Sequence, residues 1–306
     1  MCSSVWAATA LAALIRRTGA ARPWPAALLG AVCVAGNLIS GRVTYGLGVF
    51  FGVIALLTLT SPRWRWVAVL PALLAGATSP VAGLFVGLAG VALLLTGRIG
   101  DGLLVAAPAA VPLALSAGLF GDGGWMNISH TDTVRAAVTA LVVAALVPAR
   151  PVRFAGLLAA LGVVAAALIH TPVGLNATRL VTMFALPVLA GYAARPASWT
   201  AFRRMPVAVV VPLLVVVCVW QPPVVVGDVR DIGNPTASRA YYAPLLDRLK
   251  QQPLTGRVEI PPTRDYWEAA HLDDVPLAAA GCGRPTSTAT RCSSPPCPAP
   301  PAPVSS

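Results

Sequence analysis

"GLLVAAPAAVPLALSAGLF", residues 102–120, decides the fold. These nineteen residues carry no charged side chain, and a helix needs roughly 20 mostly apolar residues to cross a bilayer. The stretch has company. Apolar runs recur at about 2–15, 24–40, 43–60, 66–78, 81–95, 102–120, 136–149, 154–171, 180–194 and 206–222. Backbone amides and carbonyls find no water in hydrocarbon, so such runs in lipid have to be helices. Strict alternation of apolar and polar residues is absent, which argues against an outer-membrane barrel. The whole chain is 57% hydrophobic and 11% charged, with a mean hydropathy of +0.74; soluble domains carry about 25% charged residues. The expected fold is an all-α polytopic transmembrane bundle of about ten helices, and the first partner it implies is the lipid bilayer.

The formal charge of +11 belongs to that picture. Of the basic residues only Lys250 is a lysine, and the arginines crowd into short loops between apolar runs. One alternating set of loops holds Arg16, Arg17, Arg22, Arg63, Arg65, Arg98, Arg150, Arg153, Arg195, Arg203 and Arg204; the other holds Arg42, Arg135 and Arg179. Eleven against three is a positive-inside bias, so the first set is expected in the cytoplasm, at the plasma membrane. It is not the footprint of a nucleic-acid groove. The loops near residues 41, 79, 121–135 and 172–179, and everything after 222, then face outward. Trp24, Trp64, Trp66, Trp125 and Trp220 fall near the ends of runs, where an interfacial belt puts them. Ser79-Pro80 is a turn signal inside a greasy stretch: either two short helices form a tight hairpin there, or one helix is broken.

After Trp220 the character changes. Residues 221–278 hold eight of the eleven acidic residues. Residues 238–252 have apolar positions at helical spacing, and "GRVEIPP" (256–262) reads as a short strand. The reading is a transmembrane domain over 1–222, a small extracytoplasmic α/β region over 223–278, and a Pro/Ser/Thr/Ala-rich disordered tail over 279–306. Cys2, Cys33 and Cys218 behave as small hydrophobes, and Cys282, Cys292 and Cys297 lack metal-ligand spacing.

Three outward features offer site residues. Arg42 and Tyr45 flank the junction of the second and third runs. "PVGLNATR" (172–179) offers Asn176 and Arg179. An arginine grips phosphate with a bidentate fork, so a phosphate-bearing lipid suits Arg42 and Arg179; the plainer reading is that both snorkel to headgroups. Asp122, His130 and Asp132 are weaker candidates for proton transfer, because their spacing matches no ligand pattern and a solvated loop explains them. His170, at a helix end, reads as packed. Glu259 and Glu268 read as surface charge or as contacts to a sugar acceptor. No P-loop, GxSxG, HExxH or CxxC is present, so no cofactor and no metal is expected. No carboxylate falls inside a helix core, which weighs against an ion-driven transporter.

Residues 37–48, 78–85, 171–180 and 240–278 together resemble a group of actinobacterial polytopic integral membrane proteins that look like glycosyltransferases of the GT-C type. The resemblance implies a polyprenyl-phosphate-linked sugar donor used at the outer membrane face. It also implies an acidic catalytic residue in the first outward loop, but that loop holds Arg42 and no carboxylate here. In such proteins the segment after "VPLA" (275–278) resembles a shifted reading frame of residues 279–293, which predicts a frame break near Ala278. The uncharged flank before the first run predicts a natural start further upstream. The alternatives are a transporter or flippase, or a membrane subunit without chemistry.

Overall fold

The computed structural model describes residues 2–120, 126–169, 171–196, 202–224, 226–230, 232–251, 258 and 271–272. The chain divides into two compact units, Met1–Ile232 and Gly233–Ser306. The first holds α1 (Cys2–Arg17), α2 (Pro23–Ile39), α3 (Val43–Thr58), α4 (Val69–Thr78), α5 (Pro80–Leu95), α6 (Ile99–Phe120), α7 (His130–Leu146), α8 (Arg150–Leu168), α9 (Arg179–Tyr192), α10 (Val207–Trp220) and the short α11 (Val226–Arg230). Each of the ten apolar runs is one helix. Three stretches, Ile99–Leu119, Arg150–Leu168 and Gly174–Tyr192, are long and apolar enough to cross a membrane.

The helix boundaries follow local chemistry. Ser79 ends α4 and caps α5, its hydroxyl accepting from the Ala82 amide, and Pro80 takes the first helical position, where its missing N–H costs nothing. Of the two readings of this break, the hairpin is the one formed. A Cβ on Gly83 would lie 2.6 Å from the Gly76 Cα, so the two backbones touch. Helix α7 starts six residues before its apolar run because Ser129 caps it. The Ser129 hydroxyl accepts from the Asp132 amide at 3.0 Å and donates to the Asp132 carboxylate at 2.7 Å. His130 and Asp132 are therefore first-turn residues of a helix rather than parts of an open loop.

Helix α9 is the hub. It packs on α2, α7 and α10, and Leu186, Pro187 and Leu189 are fully buried. Elsewhere alanines and glycines fill much of the interior, beside larger buried chains such as Leu11, Ile15, Tyr45, Leu59, Phe85 and Leu93. Glycines let backbones meet: Gly90 of α5 against Ala106 and Gly102 of α6, Gly76 of α4 against Ala109 of α6, and Gly156 of α8 against Ala140 and Ala144 of α7. Leu28, Leu84, Leu103, Leu115, Leu119, Leu141, Leu161, Leu168 and Val219 point outward instead. Water favours the opposite distribution, with large apolar chains inside. Small residues inside and large ones outside is how helices pack against each other in hydrocarbon.

The two sets of loops gather at two ends. At the arginine-rich end, Arg17 reaches the Ser61 hydroxyl at 3.3 Å. Arg22 donates to the Ala193 and Met205 carbonyls, and Arg204 to the Ala21 carbonyl at 2.8 Å. Arg153 Nε donates to the Ala144 carbonyl at 3.2 Å. A small antiparallel pair, β1 (Ala194–Pro196) with β2 (Phe202–Arg204), closes the same end, an element the sequence reading did not anticipate. At the other end Ser40 donates to the Asp228 carboxylate of α11, and the Met126 amide donates to the Thr171 carbonyl at 3.1 Å.

In the second unit the helix expected over 238–252 forms as α12 (Arg239–Lys250), where Tyr242 and Leu272 are buried with Leu245, Leu246, Leu249 and Val258. The expected strand at 256–262 lies outside the described residues except for Val258, as do Asp122, Trp125, His170, Glu259, Glu268 and the tail from 279.

Candidate functional site

The site is built on two helix starts. The α2–α3 connection turns on Gly41, whose φ of +68° is left-handed backbone that favours glycine. The turn is held by Asn37, a buried polar residue whose amide nitrogen donates to the Arg42 carbonyl at 3.2 Å. This fixes Arg42 as the residue that opens α3 and puts Tyr45 on the inner face of its first turn. Tyr45 is 3% exposed and packs edge-on against Phe85 of α5, ring centroids 6.4 Å apart. Across from α3, residues 174–178 form a 3-10 turn that leads directly into α9. Gly174, at φ +41°, lies against the Met126 backbone with no room for a Cβ. That contact sets where α9 starts.

Arg179 is the first residue of α9, and its guanidinium carbon sits 5.4 Å from the centre of the Tyr45 ring. The charges of Arg42 and Arg179 act on each other and on Tyr45. Among the described residues neither guanidinium has a hydrogen bond or an ion pair, whereas Arg17, Arg22, Arg98, Arg153 and Arg204 all donate to oxygens. Two cations at two helix N-termini run against the helix dipoles, which favour anions there. The Tyr45 hydroxyl is buried and has no hydrogen-bond partner among the described residues. A positive, unsatisfied, partly dry spot of this kind is chemically suited to an oxyanion.

Beside it runs an apolar crevice of about 200 Å³ between α5 and α8, lined by Leu84, Phe85, Leu88, Val163, Ala166 and Leu180 among others. Phe85 faces both this crevice and Tyr45, and Leu180 follows Arg179 in the chain. Charge and grease are therefore adjacent.

Asn176 and Asp132 each have a protein partner. Asn176 donates to the Met126 sulfur at 3.3 Å, which pins the 3-10 turn. Asp132 is engaged by the Ser129 cap, and among the described residues no three His, Cys, Asp or Glu side chains gather as a metal site. Two polar groups that sequence reasoning did not single out come to this end. Asp228 is one, bound by Ser40. Gln221 is the other, buried and accepting from the Thr182 hydroxyl at 2.9 Å. The rise in acidic residues after 221 was the only signal for Asp228. Comparison with protein-family models, curated proteins and solved structures gives no match to this chain.

Proposed function

We propose that this is a multi-pass membrane protein that holds a polyprenyl-phosphate-linked sugar, with the arginine-rich end cytoplasmic and the Arg42–Tyr45–Arg179 cluster at the outer face. The membrane part rests on the many exposed large apolar side chains and the glycine and alanine contacts between helices, and the sidedness on the arginine bias. The observation that carries the ligand is Arg179, without an anionic partner among the described residues, lying over buried Tyr45 beside an apolar crevice. Phosphate would take the guanidinium forks of Arg179 and Arg42 and a hydrogen bond from the Tyr45 hydroxyl, and the isoprenoid the crevice at Phe85 and Leu180. The resemblance to GT-C-type glycosyltransferases supplies the sugar and a transfer reaction. In that reaction these residues bind and orient the phosphate, and the part of the base is unassigned.

Polyprenyl-phosphate binding to the full chain in lipid nanodiscs tests this. A charge-assisted hydrogen bond is worth about 1.5–3 kcal/mol, so Arg179→Ala should weaken binding by roughly 10- to 100-fold, with Arg179→Lys in between. Unchanged binding by Arg179→Ala would remove the ligand.

A further inference from the structure

A second site lies at the opposite end of the same bundle. Where the end of α5 meets the start of α8, a cavity of about 450 Å³ is lined by Leu95, Thr96, Arg150, Arg153, Phe154 and Leu157. Its two basic residues differ. Arg153 is anchored on the Ala144 carbonyl. Arg150 is exposed and makes no hydrogen bond or ion pair with a described residue. In the same region Arg98 is neutralised by Asp101 at 2.7 Å, and no carboxylate among the described residues serves Arg150 in that way.

What lies below Arg150 identifies the ligand. Positions 150, 154, 157, 161, 164 and 168 recur every three or four residues and so share one face of α8. Phe154, Leu157, Leu161, Val164 and Leu168 on that face are all exposed, from 36% at Phe154 to 76% at Leu168. The opposite face, with Gly156, Ala159, Ala160, Val163 and Ala166, is buried. From Phe154 to Val164 the helix rises about 15 Å, close to the depth of one leaflet of a hydrocarbon core about 30 Å thick. A free phosphate would use the arginines and leave this stripe idle. A molecule with one anionic head and long chains uses both.

We infer that the cavity headed by Arg150 and Arg153, with the exposed stripe of α8 beneath it, binds an anionic glycerophospholipid. The phosphodiester sits between the two guanidiniums, and an acyl chain lies along Phe154, Leu157 and Leu161. Basic pockets between membrane helices on the cytoplasmic side suit such headgroups. The inference rests on the membrane reading above and is independent of the sugar carrier.

Native mass spectrometry of the full chain, extracted from vesicles of equal phosphatidylglycerol and phosphatidylcholine, tests it. The protein should retain phosphatidylglycerol over phosphatidylcholine by about fivefold for one interfacial arginine. Arg150→Gln should bring that ratio close to one, and Arg150→Lys should keep most of it. Added inorganic phosphate should not displace the lipid. The inference is overturned by a ratio that Arg150→Gln leaves unchanged, by displacement with inorganic phosphate, or by a Leu161→Cys variant that crosslinks to a second copy along this face. Extraction of the protein by alkaline carbonate would instead sink the membrane reading itself.

Discussion

The buried hydroxyl of Tyr45 acts in opposite directions in the empty and the loaded protein. Empty, it is a desolvated donor with no partner among the described residues, a state that costs about 1–3 kcal/mol. Tyr45→Phe removes that burden and keeps the ring under Arg179 and against Phe85. Thermal unfolding of the ligand-free variant is expected at or above the wild-type midpoint, while polyprenyl-phosphate binding falls. A variant that loses stability when empty would mean that the hydroxyl has a partner in the protein, and the oxyanion role would go. Residue types alone singled out Arg42, Tyr45 and Arg179, because a lone cation between apolar runs stands out. That the three interact was not legible there. Nor was the role of Asn176, whose amide is engaged by Met126, or the link between Ser40 and Asp228.

Helix existence was legible for a physical reason: the hydropathy of a run is a property of the run itself. The ends were less so. Helix α7 gains its first turn from Ser129, and α8 begins at Arg150 because Pro151 fits a first turn. The packing of α5 on α6 depends on absent side chains. A Cβ at Gly90 would lie 2.7 Å from the Ala106 backbone nitrogen and 2.9 Å from the Gly102 carbonyl oxygen. Backbone cannot swing aside, so Gly90→Ala is expected to cost about 1–3 kcal/mol in thermal unfolding of the detergent-solubilised protein. At Gly87, on the same helix, a Cβ would meet nothing within 4 Å, and Gly87→Ala should be neutral or slightly stabilising. Equal effects at the two positions would mean that α5 and α6 do not meet as closely as these contacts require.

At the scale of the molecule, the arginines separate by end. At the crowded end Arg22 and Arg204 donate to carbonyls of neighbouring connections and Arg153 to the Ala144 carbonyl of α7; among the described residues Arg42 and Arg179 at the sparse end make no such bond. The proposed orientation has a direct test. In single-cysteine variants, a membrane-impermeant maleimide should label Asn127→Cys in intact cells and Pro148→Cys only after permeabilisation. Both positions are exposed. The reverse pattern would put Arg179 in the cytoplasm and end the outer-face carrier reading.

The amino-acid sequence alone determined ten apolar helices and which loops are rich in arginine, because both depend on short windows of side chains in contact with their surroundings. Only the tertiary structure decided which face of each helix is inside. Glycine and alanine contacts between helices make that choice, and it leaves the stripe of α8 exposed. Tertiary structure also joined Ser40 to Asp228, 188 positions apart, and set Arg179 over Tyr45. No local pattern encodes such meetings, since each requires two helices to choose one another.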